Sequence, residues 1–324
     1  YALAALFLSA TSSQGLESMK DSDIARPCYL LACNTSIVVL RSAAVILWAL
    51  GRQNSSTREV LGKNGAVERL LNVITWLESD CHRVIEKKDH SFDTYFVQLS
   101  TLSWSTAALW VLCRSEKNGK VVASSATAVD ILCRISRSCF INSAAAATAT
   151  AATSSISYNW AFFSLGGTRW LVDEQRRAER HIAVLGLACL GTLRSCICTP
   201  YGQYMLHENH LGFTLTSCLL SVLSTKNSRA TAPALREASG LLYTIHTSPL
   251  IRRLAEQLHG SENVLEDTIG ALLKGDYNKF GQNYPELISD SAIILGSLAM
   301  RTISAKYLVE IGIVAKLAMF LDSS

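Results

Sequence analysis

Charge is scarce in this chain. Acidic and basic residues make up 17% of its 324 positions, against roughly 25% in average soluble chains. The 30 basic and 26 acidic side chains leave a net charge of +4, which is too weak a balance for a nucleic-acid footprint. Five prolines and eighteen glycines argue against a loop-rich β architecture. A P-loop, a dinucleotide fingerprint, G-x-S-x-G, H-E-x-x-H and C-x-x-C are all missing, so common phosphate-binding, nucleophilic and metal chemistries have no sequence mark. No unbroken run of about 20 apolar residues occurs; the best, residues 37–50, is interrupted by Arg41. We therefore expect no enzyme, no cofactor, no metal, no small-molecule substrate, no nucleic-acid partner and no membrane span.

Apolar residues are plentiful, at 49%. Alanine and leucine dominate without the alternation of half-buried strands, which favours helix. Most of the ten cysteines lie inside apolar runs, as Cys33, Cys113, Cys133, Cys189 and Cys218 do. Such cysteines act as small hydrophobes, and the pattern implies a reducing compartment, hence a cytoplasmic location. His207 and His210, and Cys81, His82 and His90, lack the ligand number a zinc site needs. The close pair Cys196 and Cys198 is weak evidence for a metal. Asn34-Thr35-Ser36 and Asn54-Ser55-Ser56 match the glycosylation sequon, a triplet that chance often supplies. The opening YALAALFLSATSS has the apolar core of a signal peptide but no basic flank, and it reads better as the tail of a helix.

One pattern recurs. In residues 107–132 an apolar run ending at Cys113 precedes a short helical turn at 117–123. Small residues at 124–126 interrupt, and Val129, Ile131 and Leu132 open a new run. Counting the small residues that open each such run puts anchors near 24, 65, 126, 166, 210, 260 and 312. Several spacings approach the roughly 40–47 residues of helical-pair and helical-triplet repeats. An Ala- and Leu-rich helix precedes each anchor, at 2–10, 42–51, 106–113, 144–153, 183–191, 238–245 and 291–299. The low-complexity run SAAAATATAAT falls where one of these is due, so we read it as helix rather than linker. Excess length falls at 78–97, 224–233 and 274–285, read as inserted loops on one edge.

The phrases AALWVLCRSEKNGKVV, SLGGTRWLV and LGKNGAVERLLNVI resemble armadillo repeats. That resemblance extends over essentially the whole chain. It is strongest over 36–190 and weaker after 200, where HEAT-like helix pairs are the alternative. It implies an all-α, right-handed α-solenoid of about six to seven repeats, a single domain over 1–324. Each repeat would hold a short first helix, a second helix opened by a Gly-Ala or Gly-Gly turn, and a long third helix. The register would make 1–10 the tail of a third helix and 313–324 an unpartnered second helix, so the chain would begin and end in mid-repeat.

The resemblance also implies protein partners. Relatives that read peptides use asparagines near the end of each third helix, with tryptophans one turn earlier. Carried over by position, those asparagines become Leu8, Ala49, Val111, Ala151, Cys189, Thr244 and Ser297. None is an amide able to donate to and accept from a peptide bond. The leading expectation is a structural scaffold in a stable multiprotein assembly, of a cytoskeletal, ciliary or organellar kind. The alternative is an adaptor binding a peptide segment in its groove. Candidate partner-binding residues are Phe92, Tyr95, Phe96, Tyr277, Phe280 and Tyr284 in the expected edge loops, because aromatics anchor interfaces. Trp48 and Trp110 are candidates on the third helices. Arg176, Arg177 and Arg180 sit in a mixed-charge run expected to be a solvated link.

Overall fold

The computed structural model describes residues 21–33, 36–86, 92–140, 172–223, 232–247 and 309–310. Among them there are helices and connecting turns but no strand. The helices are α1 (Asp21–Cys33), α2 (Ile37–Gln53), α3 (Ser55–Lys63), α4 (Ala66–Glu86), α5 (Phe92–Leu112), α6 (Glu116–Ala123), α7 (Ala126–Phe140), α8 (Val172–Ile197), α9 (Pro200–Glu208), α10 (Gly212–Leu223) and α11 (Ala232–Thr247).

Two of the short first helices start on side-chain caps. Asn54 accepts the Thr57 amide at 2.7 Å to start α3, and Thr199 accepts the Gly202 amide at 3.0 Å to start α9, where Pro200 opens the helix. Each cap satisfies an amide that has no partner within its helix. Asn54 thus has a local structural role within its sequon. The turn into each second helix is sharp. Gly65, with φ +75°, precedes α4, and His210, with φ 54°, precedes α10. The left-handed region costs a side-chain-bearing residue about 1 kcal/mol. The anchors at 65, 126 and 210 therefore coincide with second-helix starts. The anchor near 24 lies inside α1, which contains Pro27; those near 260 and 312 lie outside the described helices.

Three ladders make the stack. The third helices α2, α5, α8 and α11 pack in succession. The second helices α4, α7 and α10 form a layer against them, joined at one end by α1. The first helices α3, α6 and α9 form the remaining ladder. In this arrangement α6, α7 and α8 make one repeat, because α9 packs directly on α6 and α10 directly on α7. The Cys218 thiol on α10 donates to the Cys133 carbonyl on α7 at 3.3 Å. The expected anchor near 166 lies outside the described residues. Residues 141–171, with the low-complexity run, lie outside the described residues.

Helix α5 occupies the middle. Leu99, Leu102, Ala108, Leu109 and Leu112 are fully buried, and so are Thr101, Ser105 and Thr106. Small residues let neighbouring helices approach, and the two threonine hydroxyls find carbonyls one turn back. Thr101 donates to Val97 at 2.7 Å and Thr106 to Leu102 at 2.9 Å. Burial of a leucine such as Leu109 is worth roughly 1.5–3 kcal/mol before conformational entropy is counted. No helical repeat of this size encloses its own core; stacking supplies the missing side.

Two further expectations change. Residues 78–86 and 92–97 are helical, extending α4 and α5, so most of the first expected edge loop is helix. The mixed-charge run belongs to the first turns of α8. Within α8, residues 177–197 are long and apolar enough by length and composition to cross a membrane, but 56% of the window is buried within the protein. The helix lies between α5, α7 and α11, which accounts for its apolar character as core.

Candidate functional site

The third-helix layer presents one stripe that no other described helix covers. On α2, the less-buried residues recur at Val38, Arg41, Val45, Trp48 and Arg52, the spacing of one helical face. Beside them α5 contributes Phe96, Trp104 and Trp110, followed by Arg114. On α8 the stripe continues through Arg177, Arg180, His181, Val184 and Leu187. Val38 is 50% exposed and Val184 48% exposed.

Aromatic side chains join the helices across this stripe. The Trp48 and Trp104 rings meet edge to face, with centroids 5.3 Å apart and planes at 70°. Trp110 lies over Gly191 of α8, where an added Cβ would collide with the indole and come within 2.7 Å of Cδ2. Phe96 and His181 meet edge to face at 5.3 Å. Aromatic contacts of this kind contribute about 0.5–1.5 kcal/mol beyond area burial, so all three also hold the stack together.

Cations sit on the tryptophans. The Arg52 guanidinium lies 4.7 Å from the Trp48 ring centroid, and that of Arg114 lies 5.6 Å from Trp110. Both are i, i+4 pairs in a repeated phrase, LWALGR at 47–52 and LWVLCR at 109–114. His181 is held below its usual imidazole range, first by burial and then by the nearby Arg41 charge.

The other layers differ. On the first helices, Lys117 meets Glu59 at 2.8 Å and Lys120 meets Glu116 at 3.0 Å. On the second helices, Arg134 meets Glu78 at 3.3 Å and Asp130 at 3.2 Å. Between third helices, Arg194 of α8 meets Glu237 of α11 at 3.3 Å. The stripe itself carries Arg41, Arg52, Arg114, Arg177 and Arg180 and no acid among its described residues.

The expected site residues divide. Trp48 and Trp110 are on the stripe, half-buried, and Arg177 and Arg180 are exposed there. Phe96 packs against His181 rather than standing in a loop. Phe92 and Tyr95 fall in the first turn of α5, and Arg176 in that of α8; their side chains are outside the described set. Tyr277, Phe280 and Tyr284 lie outside the described residues altogether. Trp104, Arg52 and Arg114 belong to the site without having been singled out. The signal for the arginines was the duplicated Leu-Trp-x-Leu-x-Arg phrase.

The asparagine comparison needs a correction. Ala49, Val111 and Cys189 are buried, not on the stripe; an alanine side chain built at Gly51 would lie 3.0 Å from Val111 Cγ1. Their apolar nature reflects core packing and says nothing of the face. The chemical conclusion survives on different ground, because α2, α5, α8 and α11 contain no asparagine at any position.

Among the described residues, no group of three or more His, Cys, Asp or Glu side chains is placed to hold a metal ion. The eight described cysteines are free thiols. Burial pushes Cys28 up to about 11, and the buried Cys113 and Cys133 thiols are raised by their contacts with Cys196 and Cys218 as well as by burial. Such thiols are poor nucleophiles.

No protein-family model and no curated protein sequence matches the chain. Solved structures match in fold. A designed armadillo repeat protein, YIII(Dq)4CqI, superposes with a TM-score of 0.54 and 13% identity, covering 91% of each chain. A second design, YIII(Dq.V1)4CPAF in complex with the peptide (KR)4, gives 0.54 and 11%, covering 91% of this chain and 90% of that one. The chain has an armadillo-like repeat fold.

Proposed function

We propose that this chain is a non-enzymatic protein-binding scaffold whose working surface is the third-helix face. The carrying observation is the half-buried row Trp48, Trp104 and Trp110, with arginines stacked on two of its members. Tryptophan and arginine are the residues most enriched at energetic centres of protein interfaces. Partly exposed apolar surface beside them is the usual mark of such a centre.

Within that reading, the chain is a lasting component of a larger cytoplasmic assembly. Its low charge supports this, since an extended stack with few charges gains from being covered. The second reading is a groove-binding adaptor, favoured by the stripe lying on one helix layer as the bound peptide's surface does in relatives that read peptides. The two are separable. Trp48→Ala with Trp104→Ala should abolish capture of an adaptor's cargo, while a scaffold should keep part of its contacts through other layers. Cross-linking mass spectrometry on the native complex tests the reading as a whole. Cross-links to other proteins should concentrate on the third-helix face. A monomeric, monodisperse chain with no cross-linked partner in its native source would refute it.

A further inference from the structure

We infer that the third-helix face accepts an acidic, aliphatic-rich polypeptide segment in extended conformation and rejects basic ones. This rests on the binding-face reading above and adds the chemistry of the occupant. The described cations of the stripe are Arg41, Arg52, Arg114, Arg177 and Arg180, and none of them forms a salt bridge among the described residues. The nearest described acid on α8 is Glu179, which lies off the stripe by helical spacing. On the other layers Lys117 pairs with Glu59, Lys120 with Glu116 and Arg134 with Glu78. The described stripe residues on α2, α5 and α8 include these arginines and no acid, a local sign that the overall net charge of +4 conceals.

Geometry supports a carboxylate ligand. A guanidinium lying over an indole uses its flat face there and keeps its edge N–H groups for hydrogen bonding. Those donors match a carboxylate in bidentate fashion. Arg52 and Arg114 occupy like positions on the adjacent helices α2 and α5. Packed helices are about 8–10 Å apart, and an extended chain advances about 3.3 Å per residue. Acidic side chains about three residues apart would therefore reach both, with an intervening aliphatic side chain against Trp104. The apolar edges Val38, Val45, Val184 and Leu187 favour a polypeptide over a sugar-phosphate backbone, which has nothing to bury against them.

The test uses the full chain and a fluorescein-labelled peptide of repeated Asp-Leu-Glu-Ser, followed by anisotropy. Comparison probes are (KR)4, an uncharged Gly-Leu-Gln-Ser repeat, and oligo-dT. The acidic peptide should bind, weaken as salt screens the charges, and lose at least about tenfold in affinity when Arg52→Glu and Arg114→Glu are combined. The same reversal should admit (KR)4. Both side chains are at the surface, and far-UV circular dichroism checks the fold; Arg52→Gln with Arg114→Gln replaces the reversal if it unfolds. Equal binding of acidic and basic peptides, or indifference to the reversal, overturns the charge inference while leaving a peptide-binding face. Binding of none of the peptides overturns the face itself. Oligo-dT displacing the acidic peptide at lower concentration overturns the inference in favour of nucleic acid.

Discussion

The first-helix ladder contains a side chain whose effect on stability can be isolated. Asn118 of α6 is 4% exposed. Its amide nitrogen donates to the Arg58 carbonyl of α3 at 2.9 Å and to the Leu112 carbonyl at the end of α5 at 3.1 Å. One buried amide thereby joins two repeats. It fits because position 62 on α3 is glycine; a Cβ there would overlap the amide oxygen and lie 2.7 Å from Asn118 Cγ. In an exposed helix, glycine to alanine stabilises by about 1 kcal/mol. Here it must displace Asn118. Two hydrogen bonds at about 1 kcal/mol each would go, along with some packing. We expect Gly62→Ala to cost about 1–3 kcal/mol net, and Asn118→Ala to cost about 2–4 kcal/mol through lost bonds and the cavity left. Together the two changes should cost less than their sum, because with Asn118 truncated the alanine at 62 recovers its helix preference. The expected coupling is about 2–3 kcal/mol. Equilibrium urea unfolding by circular dichroism, compared at unchanged slope, measures it. A rise in midpoint for Gly62→Ala in the native background, or simple additivity, would refute the placement of Asn118.

Other substitutions probe the same frame. Gly202 of α9 faces the Cys196 carbonyl and lies 2.9 Å from Ile197 Cα in the position a Cβ would take. Because these are backbone atoms, Gly202→Ala should cost more than about 2 kcal/mol and no side-chain change should rescue it; a melting temperature within a degree or so of wild type would contradict this. His210→Gly should stabilise by up to about 1 kcal/mol, since φ 54° is unstrained for glycine, and thermal unfolding reports it. His181 has a folded pKa below its unfolded value of 6.5. As pH falls through 6.5 the unfolded chain takes up the proton first, so stability falls with acidification and is insensitive to this group above neutral pH. His181→Gln should flatten the acid-side slope of the unfolding midpoint between about pH 7 and pH 5; an unchanged slope would place the histidine elsewhere.

Much of the architecture could be read before any coordinates. The helix turns at Gly65, Ser124 to Ala126, and His210 are written in small or left-handed-tolerant residues, and the second helices begin there. Two differences have physical causes. Near 24, a small residue followed by proline imitates a helix start, yet Pro27 is accommodated within α1. The 78–97 stretch carries enough polar residues to resemble a loop, although long helices keep a solvated face of just that composition.

By itself the sequence determined that the chain is helical, repetitive and rich in small residues where helices must approach. Those are local properties, set by backbone propensity and by apolar spacing along one chain. Tertiary structure decided which repeats are neighbours, that Val111 faces a helix instead of a ligand, and that Trp48, Trp104 and Trp110 share one face with Arg52 and Arg114. Those are properties of faces. Rotation of a helix about its axis moves a residue from core to surface without altering its sequence neighbours, and pairing between charges far apart in the chain exists only once the repeats are stacked.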